Sequence, residues 1–186
     1  MKYCLFILGI IVASCQEKAK RQVQLPSNTY VLFKDANLKN SNGIWLWKGE
    51  KFNGYIIEKF DSLITAKFPV IDGKQNGIAY GWYKNGKKKS EQHFSNGNRE
   101  GADKGWHENG TLSYEYFFLN DKYEGAQLSY FPNGNRWQIL NYKNGYEEGK
   151  QKSWNESGRV VNNFTVKNGK LYGVIGRYDC MSIIKK

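Results

Sequence analysis

The spacing of glycine constrains this chain more than any other feature. Gly77, Gly101, Gly125, Gly149 and Gly173 fall 24 residues apart, and Gly54 opens a degenerate unit one residue shorter. Counting from each of the first four, an aromatic stands five residues on, as Trp82, Trp106, Tyr130 and Trp154. A turn pair follows at eight and nine: Asn85-Gly86, Asn109-Gly110, Asn133-Gly134 and Ser157-Gly158. A second apolar column at seventeen reads Phe94, Phe118, Tyr142 and Val166, and a second turn reads Asn96-Gly97, Asn120-Asp121, Asn144-Gly145 and Asn168-Gly169. A fixed period of this length marks a repeat architecture in which each unit is one supersecondary element.

Each unit is therefore strand, turn, strand, turn. The 186 residues are 16% aromatic with 20 Gly and only 3 Pro, a mixture that favours strands joined by glycine turns. The expected fold is all-β, an elongated, twisted antiparallel meander of tandem 24-residue β-hairpin repeats. In Phe131-Pro132-Asn133-Gly134-Asn135, Pro132 suits the first central position of a type I turn and Gly134 the left-handed residue of a G1 bulge. That makes a three-residue loop, so position six faces ten and five faces eleven. Odd positions are then expected to share one face, with Trp106, Leu112, Tyr114, Tyr116 and Phe118 together and Asp103, Ser113 and Glu115 opposite.

Aromatic, Asn-Gly, aromatic, Asn-Gly, Glu-Gly at this period resembles the bacterial variant of the MORN repeat, as in Gly77–Gly86 and Asn144–Gly149. The resemblance implies an antiparallel repeat meander without catalytic residues, and some bacterial members are described as antitoxin-like. The Gly54 unit departs from it, with Lys59 where the others have an aromatic and Ser62-Leu63 in place of Asn-Gly. Pro69 suggests an edge or bulge in that unit. The array is placed at 54–173, preceded by atypical capping strands at 29–53 and followed by a C-terminal capping strand at 174–186. Trp45-Leu46-Trp47 reads as the second strand of an earlier unit.

The first residues read as an address. Lys2 and the apolar run Tyr3–Val12 have the form of a signal peptide (1–14), too short for the ~20 apolar residues of a membrane span. Val12-Ala13-Ser14-Cys15 resembles a lipobox, which makes Cys15 the lipidated residue and 15–28 the lipidated N-terminus and tether. An ordinary cleaved signal with a chance cysteine is the alternative. The lipobox reading places the protein in the cell envelope, periplasmic or surface-exposed, with the membrane engaged through the N-terminal lipid.

Of three cysteines only Cys180 would then remain, so no intramolecular disulfide is expected. His93 and His107 have no metal-ligand spacing, and neither a metal nor another cofactor is expected. No nucleophile elbow, phosphate loop, HExxH or paired-carboxylate signature exists. A thiol enzyme on Cys180 with His93 or His107 is the one catalytic alternative. The formal charge of +11 admits several anionic partners, and export argues against nucleic acid.

Binding candidates are Trp47, Trp82, Trp106, Tyr130 and Trp154 as aromatic anchors for an unidentified protein, or as core. An uncovered apolar face would equally serve self-association. Lys87, Lys88, Lys89 and Arg99, with Lys84, form a basic cluster that either meets an anion or protects a solvated sheet edge. Glu100, Glu124 and Glu148 precede the repeat glycine and are expected to support turns; cation binding is disfavoured by a separation of roughly 10 Å between units. The function read from these features is a non-catalytic, lipid-anchored envelope protein that binds or scaffolds a partner, the alternative being an antitoxin or immunity-like protein. Replacing Cys15 by Ala is expected to move the protein from the membrane to the soluble fraction, checked by fractionation; undiminished membrane retention would contradict the anchor.

Overall fold

The structure is a computed structural model that describes residues 27–174, and within that range it consists of strands and turns. Cys15 with the signal and most of the tether, Cys180, and all but the first residue of the C-terminal capping segment lie outside the described residues. The chain begins with β1 (Tyr30–Leu32), β2 (Leu38–Ser41), β3 (Ile44–Trp47) and β4 (Glu50–Lys51). The degenerate unit supplies β5 (Gly54–Phe60), β6 (Leu63–Ile71) and the two-residue β7 (Lys74–Gln75). The next units repeat that pattern: β8 (Gly77–Trp82), β9 (Lys88–Ser95) and β10 (Asn98–Arg99), then β11 (Gly101–Trp106), β12 (Leu112–Leu119) and β13 (Lys122–Tyr123). They end with β14 (Gly125–Tyr130), β15 (Arg136–Lys143) and β16 (Tyr146–Glu147), followed by β17 (Gly149–Trp154), β18 (Val160–Lys167) and a longer β19 (Lys170–Val174).

From β5 onward the long strands pair in chain order, and together with β1 and the two-residue strands they form one 16-stranded sheet. This is the expected repeat meander. The first loop of each unit has the expected chemistry: the Phe131 N–H donates to the Asn135 carbonyl at 2.8 Å and the Gly134 N–H to the Phe131 carbonyl at 2.8 Å, with Gly134 at φ 85°. The loops at 83–87, 107–111 and 155–159 repeat both bonds. In the second turn both central residues are left-handed (Asn144 at φ 54°, Gly145 at 85°), the two-residue form that matches strand twist.

The strand pairing corrects the expected faces. Trp106 does pair with Leu112, five with eleven, but Gly105 pairs with Tyr114, so Ser113 has no partner. The same shift leaves Thr65, Lys89, Trp137 and Val161 unpaired in the other hairpins. This is a β-bulge, and one extra residue exchanges the faces beyond it. Asp103 therefore pairs with Tyr116 and Gly101 with Phe118, while Lys104 pairs with Glu115. Trp106 stands on the Lys104 side, opposite Tyr116 and Phe118.

Between hairpins the pairing is short. Unit to unit, the ladder consists of Tyr114↔Ser129 and Glu115↔Leu128, or of their equivalents. Beyond those rungs the strands diverge, and backbone groups there need other partners. The side chain two residues past Gly101, Gly125 and Gly149 supplies them. Gln127 is 3% exposed; its Oε1 accepts the Phe117 N–H at 2.9 Å and its Nε2 donates to the Glu124 carbonyl at 2.9 Å. Gln151, fully buried, does the same for Asn141, with 2.8 Å to its N–H and 2.9 Å to its carbonyl. Pro69 occupies the equivalent place in the first unit and has no N–H to satisfy, and the facing residue there is Ala79, which has no acceptor. So Pro69 marks neither edge nor bulge. It is a buried ladder residue opposite Tyr55, and the bulge of its strand lies at Thr65.

The apolar core sits at the N-terminal end. The earlier unit is not continuous with the meander: β2, β3 and β4 form a separate three-stranded sheet, and β1 takes the place beside β5, in parallel. Val31, Leu38, Phe52, Ile56 and Val70 are buried there, with Trp45, Trp47 and Phe68 packed against them. This end has two layers; the array beyond it has one.

Gln151→Met keeps side-chain length and removes both hydrogen-bonding groups. It is expected to lower the unfolding free energy by about 1–3 kcal/mol, read from the urea midpoint. An unchanged midpoint would show that water satisfies Asn141 instead.

Candidate functional site

Two recurrent features position the side chains on the Trp face. The first strand of each hairpin sets positions one, three and five on one side, and the bulge swings the residue at twelve away from the ladder. Trp82, Trp106, Tyr130 and Trp154 consequently form one column of half-buried rings, and no second layer covers them among the described residues. Neighbouring units are fastened along this column, where the Tyr83 hydroxyl donates to the Trp106 carbonyl at 2.7 Å and His107 Nε2 lies 2.9 Å from the Tyr130 carbonyl. Trp47 belongs elsewhere: it packs into the cap, edge-on to Phe52 at 6.1 Å, with its indole N–H buried and unpartnered.

The basic cluster is divided by the fold. Lys88 is held in an ion pair with Glu91 and lies over the rings of Tyr80 (5.1 Å) and Trp106 (4.8 Å). Arg99 is on the opposite face, 3.6 Å from the Asp103 carboxylate and over the Phe118 ring at 4.9 Å. Lys87 Nζ reaches the Asn109 carbonyl at 3.4 Å. Lys89, the bulge residue, is exposed and turns to a groove with Lys34, Lys59 and Lys84.

The glutamates act as turn supports. Glu100, Glu124 and Glu148 accept the N–H of Asn120, Asn144 and Asn168 in the next unit, at 3.0, 2.7 and 3.2 Å. His93 Nδ1 bonds the Ala102 carbonyl, and the His93 backbone N–H donates to Asp103 Oδ1; the Cys180 paired with a histidine in the catalytic alternative lies outside the described residues. No group of three or more His, Cys, Asp or Glu able to hold a metal exists among the described residues.

Asp103 is the chemical exception within the array. It occupies the place of Gln127 and Gln151 and is 1% exposed. Oδ1 accepts the His93 N–H at 2.8 Å, but a carboxylate has no N–H for the rest of the task, and Oδ2 is buried without a hydrogen-bond partner. Burial pushes its pKa above the ordinary carboxylate value, opposed by the His93 N–H and by the charges of Arg99 and His93.

The groove has no motif that announces it in the sequence. Phe60 and Tyr83 line it, Glu58 and Glu108 bring carboxylates, and its volume is about 500 Å³. Its one trace in the residue pattern is Lys59, a break in the aromatic column. Trp137, 47% exposed beside Phe131 at 5.9 Å, is equally unannounced, because only the bulge turns it outward.

Comparison with known families gives matches to the MORN repeat variant at residues 75–96 and 123–144. Each matched segment runs from two residues before a repeat glycine to the asparagine of the second turn, and the two lie two periods apart. The units from Gly101 and Gly149 share their register and bulge. Repeats of this kind are generally non-catalytic and often bind proteins or membranes. No curated protein matches the chain.

A raised folded-state pKa means that the native protein takes up the Asp103 proton more readily than the unfolded chain. Ionised Asp103 thus costs stability at high pH, and the cost fades as pH falls through the folded value. Asp103→Gln, which restores the missing donor, is expected to raise the melting temperature at neutral pH. The gain should be largest at higher pH and shrink on acidification; a gain constant across pH would refute the assignment to ionisation.

Proposed function

We propose that this is a non-catalytic, lipid-anchored envelope protein whose repeat sheet binds or scaffolds a protein partner. The observation that supports the reading best is the uncovered column of Trp82, Trp106, Tyr130 and Trp154 on a single-layer sheet. Large, rigid aromatics lose little entropy on association and dominate interface energetics. The regular backbone holds them at fixed intervals, so that a long partner meets several equivalent anchors. The match to a repeat often found in protein- and membrane-binding modules supports the same reading.

Anchoring rests on the Cys15 lipobox and suits this role, because a tethered sheet samples partners near the membrane. Buried polar side chains of the array such as Gln127 and Gln151 are occupied with backbone, which suits a structural and binding role.

The test is crosslinking of the full chain in cells, followed by affinity measurement with the partner recovered. Trp154→Ala, at a half-buried site far from the two-layered cap, is expected to weaken that complex by at least about 2 kcal/mol while the protein remains folded. A partner whose affinity is indifferent to Trp154, Tyr130 and Trp106 alike would defeat the column as the binding surface.

A further inference from the structure

The groove at the start of the array lies where the repeat pattern breaks. In the regular units position five is an aromatic that continues the column; in the degenerate unit it is Lys59. Lys59 lines the space of about 500 Å³ there, within the ~300–1,000 Å³ usual for ligand sites. A second depression of about 220 Å³ adjoins it and shares Lys34, Glu58 and Lys59, extending the groove toward the parallel strand β1.

Three kinds of group meet in this space. Lys34, Lys59, Lys84 and Lys89 come from four separate segments, and none of them makes an ion pair among the described residues. Lys88, next in sequence to Lys89, is by contrast committed to Glu91. Phe60, Trp82 and Tyr83 supply aromatic surface: Phe60 is 44% exposed with Lys84 Nζ over one face of its ring at 3.8 Å, and the Tyr83 ring, with Lys89 Nζ at 5.7 Å, is fixed by its hydroxyl bond to the Trp106 carbonyl. Glu58 and Glu108 stand among the lysines without pairing to them, and Glu108 takes a 3.3 Å bond from Asn85 Nδ2. The bulges of two successive hairpins contribute Thr65 and Lys89.

The geometry points to an acidic oligosaccharide as the ligand of this groove, that is, a chain of sugar rings with widely spaced carboxylates. Lysines pair with the carboxylates, and aromatic faces pack against the apolar faces of the rings. The two glutamates accept hydrogen bonds from sugar hydroxyls, which are plentiful donors. Those same glutamates repel a dense polyanion, so a nucleic acid or polyphosphate chain, with charge at every unit, is the poorer fit. Two adjoining depressions suit a chain more than a compact ion. Such binding goes beyond the protein-binding role of the Trp column and does not depend on it.

The full chain is titrated by calorimetry with tetragalacturonate, tetraguluronate and a chondroitin tetrasaccharide; the fully methyl-esterified tetragalacturonate, an oligothymidylate and polyphosphate serve as comparisons. At least one acidic saccharide is expected to bind, roughly 10-fold more weakly at about 0.5 M salt than at about 0.05 M, because the lysines are exposed. The neutral ester should bind at least about 10-fold more weakly than its acid, since the ion pairs are lost. Lys59→Tyr restores the column aromatic and fills the groove; it is expected to abolish binding, whereas Lys59→Arg retains it. If Lys59→Tyr does not fold, Lys84→Ala with Lys89→Ala, both at exposed positions, should weaken binding by a similar factor. The inference is overturned if none of the three acidic saccharides binds, if the ester binds as well as the acid, if neither set of lysine changes alters binding, or if polyphosphate or oligothymidylate binds more tightly.

Discussion

The architecture depends on satisfying backbone hydrogen bonds in a sheet with no second layer. Consecutive hairpins share only a short stretch of ladder, as at Tyr114↔Ser129 and Glu115↔Leu128. Past that stretch the chains part, and each exposed amide would be an open site for water or for a foreign strand. Three side-chain devices close the gaps: the buried glutamine two residues after the repeat glycine, the glutamate before it, and the loop asparagine that reaches to the next loop, as Asn109 does to the Pro132 carbonyl. Polar residues here do the joining that an apolar core does in a two-layered domain. That explains how an array with few buried apolar residues (Ala79, Phe118 and Val166 among them) holds a defined register.

The same economy separates structure from function along the chain. The repeat glutamates, the buried glutamines and both histidines are engaged with backbone. Much of what is left over is aromatic or cationic, on the face that the bulges shape. Trp82, Trp106, Tyr130 and Trp154 stay on that face, while Tyr114, Tyr116, Tyr123 and Tyr142 cluster on the other, with Tyr114 and Tyr116 stacked at 4.6 Å and Tyr123 and Tyr142 at 5.1 Å. Two aromatic surfaces therefore exist where the residue pattern suggested one.

Much of the fold was legible because glycine and asparagine report backbone conformation directly. Most left-handed residues here are one of the two, so Asn133-Gly134 and Asn144-Gly145 identify the turns and the loop length. The bulge had no such marker. Thr65, Lys89, Ser113, Trp137 and Val161 share no chemistry, since an unpaired residue on a strand accepts almost any side chain, and side-chain parity reverses there without a signal. The parallel strand β1 was equally hidden, because Tyr30–Leu32 carries no sign of which neighbour it joins. Of the candidate site, the aromatic column was readable, its solitude was not, and the groove showed only as Lys59 out of place. Asp103 passed for an ordinary polar residue, as its burial comes from the exchanged face.

The cap gives the array a polarity that a plain repeat would lack. Among the described residues, one terminus is closed by two packed layers, while at the other β19 pairs with β18 and keeps Leu171 and Tyr172 half exposed. In a chain of nearest-neighbour contacts, fraying starts where a unit has a single neighbour. The single-layer hairpins therefore open before the two-layered cap, one unit at a time. The length of intact lattice, rather than an all-or-none switch, becomes the variable that heat, force or proteolysis adjusts.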